Sequence, residues 1–197
     1  MTEAAVRSTR ADSRRAALLD EAAWLFRQKG FHATSVRDIV SAVGMLPGSL
    51  YCHFANKEEL LLAVYEIGIA EISRAVTAAV ATESDPWRRF EAACGAHLEA
   101  LLKSSDYPQV VVRVLPAEAP GARPRLVALR DSYEAVFRAL IDDLPLPDGI
   151  DRDLLRRTVI GGLNATTTWF RQSGDSPRTI ARKYLDTLRL SLGPLKS

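Results

Sequence analysis

The feature that narrows the fold most is the spacing of apolar residues, which keeps a helical period along the whole chain. Leu18, Ala22, Leu25 and Phe26 follow i, i+4, i+7, i+8 on one helix face that Gly30 ends. Val36, Ile39, Val40 and Val43 repeat the pattern over a shorter length; Ser35 can cap that helix, Asp38 can reach back to it, and Gly44 stops it. Pro47 suits the first position of a third short helix that runs to about His53. Asn56 and Glu59 then open a fourth, with Leu60, Val64, Ile67, Ile72 and Val76 on its apolar face and a break expected near Gly68. Asp85-Pro86 opens a helix carrying Phe90, Cys94, His97 and Leu101. Leu126, Leu129, Tyr133, Val136, Phe137 and Leu140 mark another, and two more follow at 151–172 and 176–192. The run Val110, Val111, Val112, Val114 is β-branched enough to suit a strand as well as a helix. No stretch alternates with period two, so the expected class is all-α.

The chemistry of the rest sets bounds. Apolar residues make up 47% and charged residues 25%, which is ordinary for a globular chain and excludes a disordered or fibrous one. No apolar run reaches a membrane span, and Arg7, Arg10, Arg14 and Arg15 stand where a signal peptide would be apolar. Two cysteines, Cys52 and Cys94, make no disulfide framework and point to a reducing cytoplasm. The net charge of +2 is small, yet up to Lys57 the bases outnumber the acids: Arg7, Arg10, Arg14, Arg15, Arg27, Lys29, Arg37 and Lys57 against Glu3, Asp12, Asp20, Glu21 and Asp38. A basic head on a balanced body points to an anionic partner at the head.

Thr34 to Leu60 carries the most specific chemistry. Two short helices separated by Gly44-Met45-Leu46 have the length of a helix-turn-helix, in which the first braces and the second enters a major groove. Val36, Ile39, Val40 and Val43 supply the buried face, and Leu50 and Phe54 anchor the second helix from behind. That leaves Pro47, Gly48, Ser49, Tyr51, Cys52 and His53 toward the exposed side. Ser49 can hydrogen-bond almost any base, so it specifies little alone. Tyr51, His53 and Lys57 offer a hydroxyl, an imidazole and a charge to phosphates, and Ser35 and Asn56 open helices whose free N–H groups can do the same.

Residues 14–64 resemble the DNA-binding domain of TetR-family transcriptional regulators. That pattern is Phe-x-x-x-Gly, a Thr-Ser-Val/Ile-x-x-Ile stretch, a Gly turn, then Gly-x-Leu-Tyr-x-x-Phe-x-x-Lys-x-x-Leu. Phe26 with Gly30, Thr34-Ser35-Val36 with Ile39, and Gly48, Leu50, Tyr51, Phe54, Lys57 and Leu60 fill it in register. Two departures stand out. Leu46 replaces the usual Ser or Thr cap, and Cys52 sits in a slot more often aromatic, basic or His. The resemblance implies a three-helix head at 13–56 behind a flexible basic arm at 1–12, and a helical effector-binding and dimerisation domain at 57–197. DNA contacts are expected from Arg14, Thr34, Ser35, Arg37, Pro47, Gly48, Ser49, Tyr51, Cys52, His53 and Lys57.

It further implies a homodimer on palindromic operator DNA, released by a small-molecule effector, with the last two helices of each subunit forming the interface. Leu155, Val159, Gly162, Leu163, Tyr184 and Leu188 are the expected interface residues; Gly161-Gly162 inside a helix fits close approach to another helix. The effector pocket is expected among Trp87, Phe90, Cys94, His97, Val111, Val114, Tyr133, Phe137, Asn164, Thr167, Thr168 and Trp169. The Thr hydroxyls there need partners, either a ligand or the helix's own carbonyls. The segment Gly162 to Phe170, with Gly174 and Ser176-Pro177, is similar to regulators that answer acyl-CoA thioesters, so the expected effector is largely apolar and the expected action is repression.

Two other classes compete. Cys94 and His97 at i, i+3 suit a thiolate–imidazole pair or two metal ligands, but no third ligand or orienting acid accompanies them, and no catalytic signature occurs. No metal, cofactor or catalytic residue is therefore expected. The second is a helical scaffold whose helix-turn-helix no longer meets DNA, for which Leu46 and Cys52 give some footing.

Overall fold

The computed structural model describes residues 3–192, and the side chains of all of these but 3–11, 47, 103 and 104. Among them the regular elements are helical: α1 (Glu3–Lys29), α2 (Val36–Ala42), a 3₁₀ helix (Pro47–Cys52), α3 (Lys57–Val80), α4 (Pro86–Glu99) continued by a π turn (Ala100–Ser104), α5 (Tyr107–Arg113), a 3₁₀ turn (Pro116–Glu118), α6 (Arg123–Asp142), α7 (Arg152–Trp169) and α8 (Pro177–Ser191). No strand occurs among the described residues, as the apolar period requires. Of the arm expected at 1–12, residues from Glu3 on are the opening turns of α1; residues 1, 2 and 193–197 lie outside the described ones.

The chain forms two compact units, one of residues up to Gly68 with Asp106–Leu129, the other of Ile69–Ser105 with Arg130 onward. In the first, α1 buries Leu18, Leu19, Ala22, Leu25 and Phe26 against Ile39 and Val40 of α2, with Leu50, Phe54 and Leu60 completing the core. Gly44 turns the chain after α2 at φ +66, a conformation that side chains disfavour, and the Met45 N–H donates to the Val40 carbonyl at 2.8 Å.

Residues 106–129 join this unit, rather than following the boundary expected at residue 57, because side chains tie them in. Tyr107 Oη donates to Asp20 at 2.7 Å, Arg27 pairs with Asp106 at 2.7 Å, and Tyr65 Oη reaches the Val111 and Val114 carbonyls at 2.9 and 2.7 Å. The valine-rich run is thus helical: Pro108 sits in the first turn of α5, and no strand offers it a ladder. The break expected near Gly68 does not occur. A Cβ there would lie 2.6 Å from the Tyr107 carbonyl oxygen, so this glycine lets α5 approach an uninterrupted α3.

In the second unit α4 is capped by Asp85, α7 by Asp151 and α8 by Ser176, each side chain accepting backbone N–H groups. Phe90, Cys94, Leu98, Phe137, Val159, Leu163, Ala181 and Leu185 form its core, with α4 packed along α8.

Candidate nucleic-acid interface

The exposed end of the first unit is built from its turns. Ser35 Oγ accepts the Asp38 N–H at 3.1 Å while the Asp38 carboxylate accepts the Ser35 N–H at 2.9 Å, and that bond holds the Asp38 carboxyl below its usual range. This fixes where α2 begins. The segment after it is 3₁₀, six residues long, and Leu46 gives it no side-chain cap. Leu50 is fully buried behind it, whereas Tyr51 is 61% exposed, Gly48 and Cys52 are exposed, and Ser49 and His53 are half-buried. Arg14, Ser35 and Arg37 are exposed as expected for phosphate or base contact; the side chain of Pro47 lies outside the described ones. Arg15, counted in the basic head but not among the expected individual contacts, has its guanidinium 5.1 Å from the centroid of the Phe54 ring.

Two expected contacts have other employment. Thr34 is fully buried, and its hydroxyl donates to the Gly30 carbonyl at 2.8 Å, where it closes the turn after α1. Lys57 is half-buried, with Nζ donating to the Phe31 carbonyl at 2.8 Å and the Thr34 carbonyl at 2.9 Å, 4.1 Å from the centroid of the Phe31 ring. Burial pushes its ammonium below the usual lysine range. Spacing along the sequence could not show that both residues face the α1–α2 turn.

In the second unit, six of the expected pocket residues meet. His97 is buried, with Nδ1 2.6 Å from Tyr133 Oη and Nε2 3.0 Å from Asn164 Oδ1. Since an amide oxygen only accepts, Nε2 carries the proton and Tyr133 donates to Nδ1. Burial pushes His97 down to about 4, against the smaller opposing effect of the Asn164 bond, so the ring is neutral at pH 7. Tyr133 stacks on it at 5.8 Å, Phe137 meets both rings edge-on, and Phe90 abuts Phe137 at 6.4 Å. Cys94 is buried there too, its thiol pushed far up by desolvation, so it is not a thiolate nucleophile.

The other pocket candidates lie at the rim of this cluster or away from it. Trp87 is half-buried at the edge of Phe90, under the Arg189 guanidinium. Val111 and Val114 belong to the first unit, where their carbonyls hold Tyr65. Thr167 and Thr168 donate to the Asn164 and Ala165 carbonyls, and Trp169 is 55% exposed. Among the described residues no three His, Cys, Asp or Glu side chains gather to hold a metal ion.

Residues 18–64 match the family described as bacterial regulatory proteins, tetR family, and residues 83–192 match the tetracyclin repressor-like C-terminal domain. The chain belongs to the TetR family. It is 30% identical to the HTH-type transcriptional repressor KstR2 of Rhodococcus jostii, over 87% of each chain. The TetR-family regulator PfmR of Thermus thermophilus superposes with a TM-score of 0.72 at 30% identity, covering 91% of this chain and 99% of that one. AibR, solved with isovaleryl coenzyme A and operator DNA, superposes with a TM-score of 0.77 at 22% identity over 88% and 97%. Like its relatives, this TetR-family chain is a DNA-binding transcriptional regulator, not an enzyme.

Leu155, Val159 and Leu163, expected at a dimer interface, are instead buried inside the second unit. The exposed row lies one residue away: Leu154 (60% exposed), Thr158, Gly161, Ala165 and Trp169. Two rows of small and apolar residues run side by side on α7, and the bulkier one faces its own core. Gly162 sits under Tyr184, whose hydroxyl donates to the Thr158 carbonyl at 3.0 Å, while Gly161 faces open space. Between α7 and α8 runs a groove of about 540 Å³, walled by Gly162, Trp169, Phe170, Ile180 and Tyr184. Tyr184 and Leu188 are half-buried on α8.

Proposed function

We propose that the chain is a repressor that binds a palindromic operator as a homodimer and leaves it when an acyl-CoA thioester binds. The observation that carries the DNA half is the uncapped 3₁₀ helix, anchored by Leu50 and Phe54 while Ser49, Tyr51 and Cys52 face outward on a head that also exposes Arg14 and Arg37. The head of the first unit reads DNA, and the second unit binds the effector and the second copy. Two heads enter major grooves about one helical turn, roughly 34–36 Å, apart. The protein works in the cytoplasm, where such an operator lies; no described helix is long and apolar enough to cross a membrane.

For the effector, a neutral Tyr133–His97–Asn164 chain among aromatic rings suits a neutral carbonyl with an apolar tail and disfavours a buried carboxylate. Tyr133 transfers its hydrogen bond from His97 to the thioester oxygen. A ligand that binds better to a dimer with differently spaced heads draws the protein off DNA. That the same fold serves AibR with isovaleryl coenzyme A adds support for the class of ligand.

The test runs in two steps. Duplexes enriched by the protein from a random-sequence pool are titrated with salt, and the expected affinity falls steeply, with a log–log slope of about −0.9 per neutralised phosphate. The bound duplex is then challenged with short, branched and long acyl-CoA thioesters and with the matching free acids. Release by thioesters alone fits the proposal. Failure to enrich any duplex refutes the DNA half, and release by the acids refutes the effector half.

A further inference from the structure

We infer that Lys57 is a positioning residue of the DNA-reading head, locking the start of α2 to the start of α3, and that it makes no phosphate contact. The inference deepens the proposed operator binding by assigning one residue of that site a role in specificity. Its ammonium has three N–H donors. Two are committed at 2.8 and 2.9 Å to the Phe31 and Thr34 carbonyls, and the charge lies 4.1 Å from the centroid of the Phe31 ring. Swinging out to a phosphate would leave both carbonyls without that donor and remove the cation from the ring face.

The seat is also well placed to matter. Thr34 immediately precedes Ser35, the residue whose capping box begins α2, and Thr34 is itself held by its hydroxyl on Gly30. From α2 the chain passes through the Gly44 turn directly into the 3₁₀ reading helix. Lys57 is the first residue of α3, with Asn56 capping that helix through the Glu59 N–H. Neighbouring Glu58 accepts the Ala122 N–H at 2.9 Å, and Glu59 takes Arg125 at 2.8 Å, so the first turn of α3 is fixed on its other sides. An anchor that rigid can set the angle at which α2 and the reading helix are presented. The ring of Phe31 and the two carbonyls match a compact ammonium; a planar guanidinium is wider and spreads its donors in a fork.

The experiment compares wild type, Lys57→Met and Lys57→Arg on the duplex that wild type enriches from a random pool and on an unrelated duplex. All are measured across a salt series at a temperature where circular dichroism finds each folded. Both variants are expected to lose about tenfold in affinity for the enriched duplex, the scale of a lost charge-assisted hydrogen bond. The unrelated duplex and the salt slope stay near wild type. A slope shallower by about 0.9 in Lys57→Met, restored in Lys57→Arg, would show a phosphate contact and overturn the inference. Equal loss on both duplexes, or no loss on either, would overturn it as well, since a misplaced reading helix costs discrimination first.

Amide exchange in the free protein decides the matter without DNA. Ile39 and Val40 of α2 should exchange about tenfold faster in Lys57→Met, while Ala22 to Phe26 of α1 do not change. Unaltered exchange at Ile39 and Val40 would overturn the inference even if no duplex had been found. In wild type, the Lys57 Nζ resonance should keep its position when the enriched duplex is added. A shift of that resonance coupled to a phosphorus signal is the opposing result.

Discussion

At the scale of single residues, the buried imidazole of His97 makes a claim on pH. Folding lowers its affinity for a proton from an ordinary value near 6.5 to about 4, because the charged ring would lose its water and gain only the Asn164 oxygen. Between those values the unfolded chain holds the proton and the folded one does not, so stability falls as pH drops from 6.5 toward 4. Integrated over the window, the loss is roughly 3 kcal/mol. Urea midpoints of wild type and His97→Gln at pH 7.5, 6, 5 and 4.5 check this. The variant lacks the penalty, so its stability deficit should narrow as the pH falls; a deficit that widened would mean the folded protein welcomes the charge. Tyr133→Phe should leave that window in place, since the imidazole stays buried, while weakening thioester release. The same residue shows where sequence reading stopped. Tyr133 and Asn164 are expected in the same pocket as His97, but that they are its hydrogen-bond partners, thirty-six and sixty-seven residues away on α6 and α7, no local spacing shows.

At the scale of elements, the reading helix is the least secured piece of the head. Leu46 has the extended backbone of an N-cap, φ −78 and ψ 150, yet its side chain caps nothing and is 77% exposed. Leu46→Ser should therefore stabilise the segment by about 0.5–1 kcal/mol, read as slower amide exchange at Ser49 and a raised Tm. A lower Tm would mean that the exposed leucine is supported by something the cap argument omits. Gly68→Ala tests the opposite case. Alanine is worth about 1 kcal/mol to a helix, but here its Cβ would press on the Tyr107 carbonyl oxygen at 2.6 Å and on Val111 Cγ2 at 2.8 Å. Backbone yields little, so a net loss of about 2 kcal/mol is expected in a denaturant melt. A stabilised Gly68→Ala would show that α5 is not pressed against α3. Most of the helices, the Ser35–Asp38 capping box and the Gly44 turn are legible because each is set by residues within four or five positions, whereas α5 stays open between strand and helix until its neighbours are known. Gly68 was misread as a break because the reason for it, α5, lies forty residues on. Thr34 and Lys57 show the same limit: their motif positions are plain in the sequence, and the carbonyls their side chains bond are not.

At the scale of the whole molecule, the proposed function needs two copies, and the exposed row on α7 is the surface we propose for their contact. In the single chain Gly161 faces open space, so replacing it with alanine should raise the stability of a monomer by about 1 kcal/mol, as in any exposed helix interior. In the proposed two-fold interface Gly161 lies against a helix of the second copy, and an added Cβ on each side would push the two helices apart. The two situations give opposite signs. Gly161→Ala should melt higher than wild type where protein is dilute and monomeric, and dissociate at higher concentration than wild type in sedimentation equilibrium. Leu154→Asp places a charge on the same exposed row without touching the core that buries Leu155, and should give a folded monomer. Such a monomer presents one head to an operator built for two, so its affinity for a full palindrome should fall to that for a half-site. If Leu154→Asp stayed dimeric and Gly161→Ala stabilised the protein at every concentration, the row on α7 would be solvent-facing in the dimer. The two copies would then have to meet elsewhere.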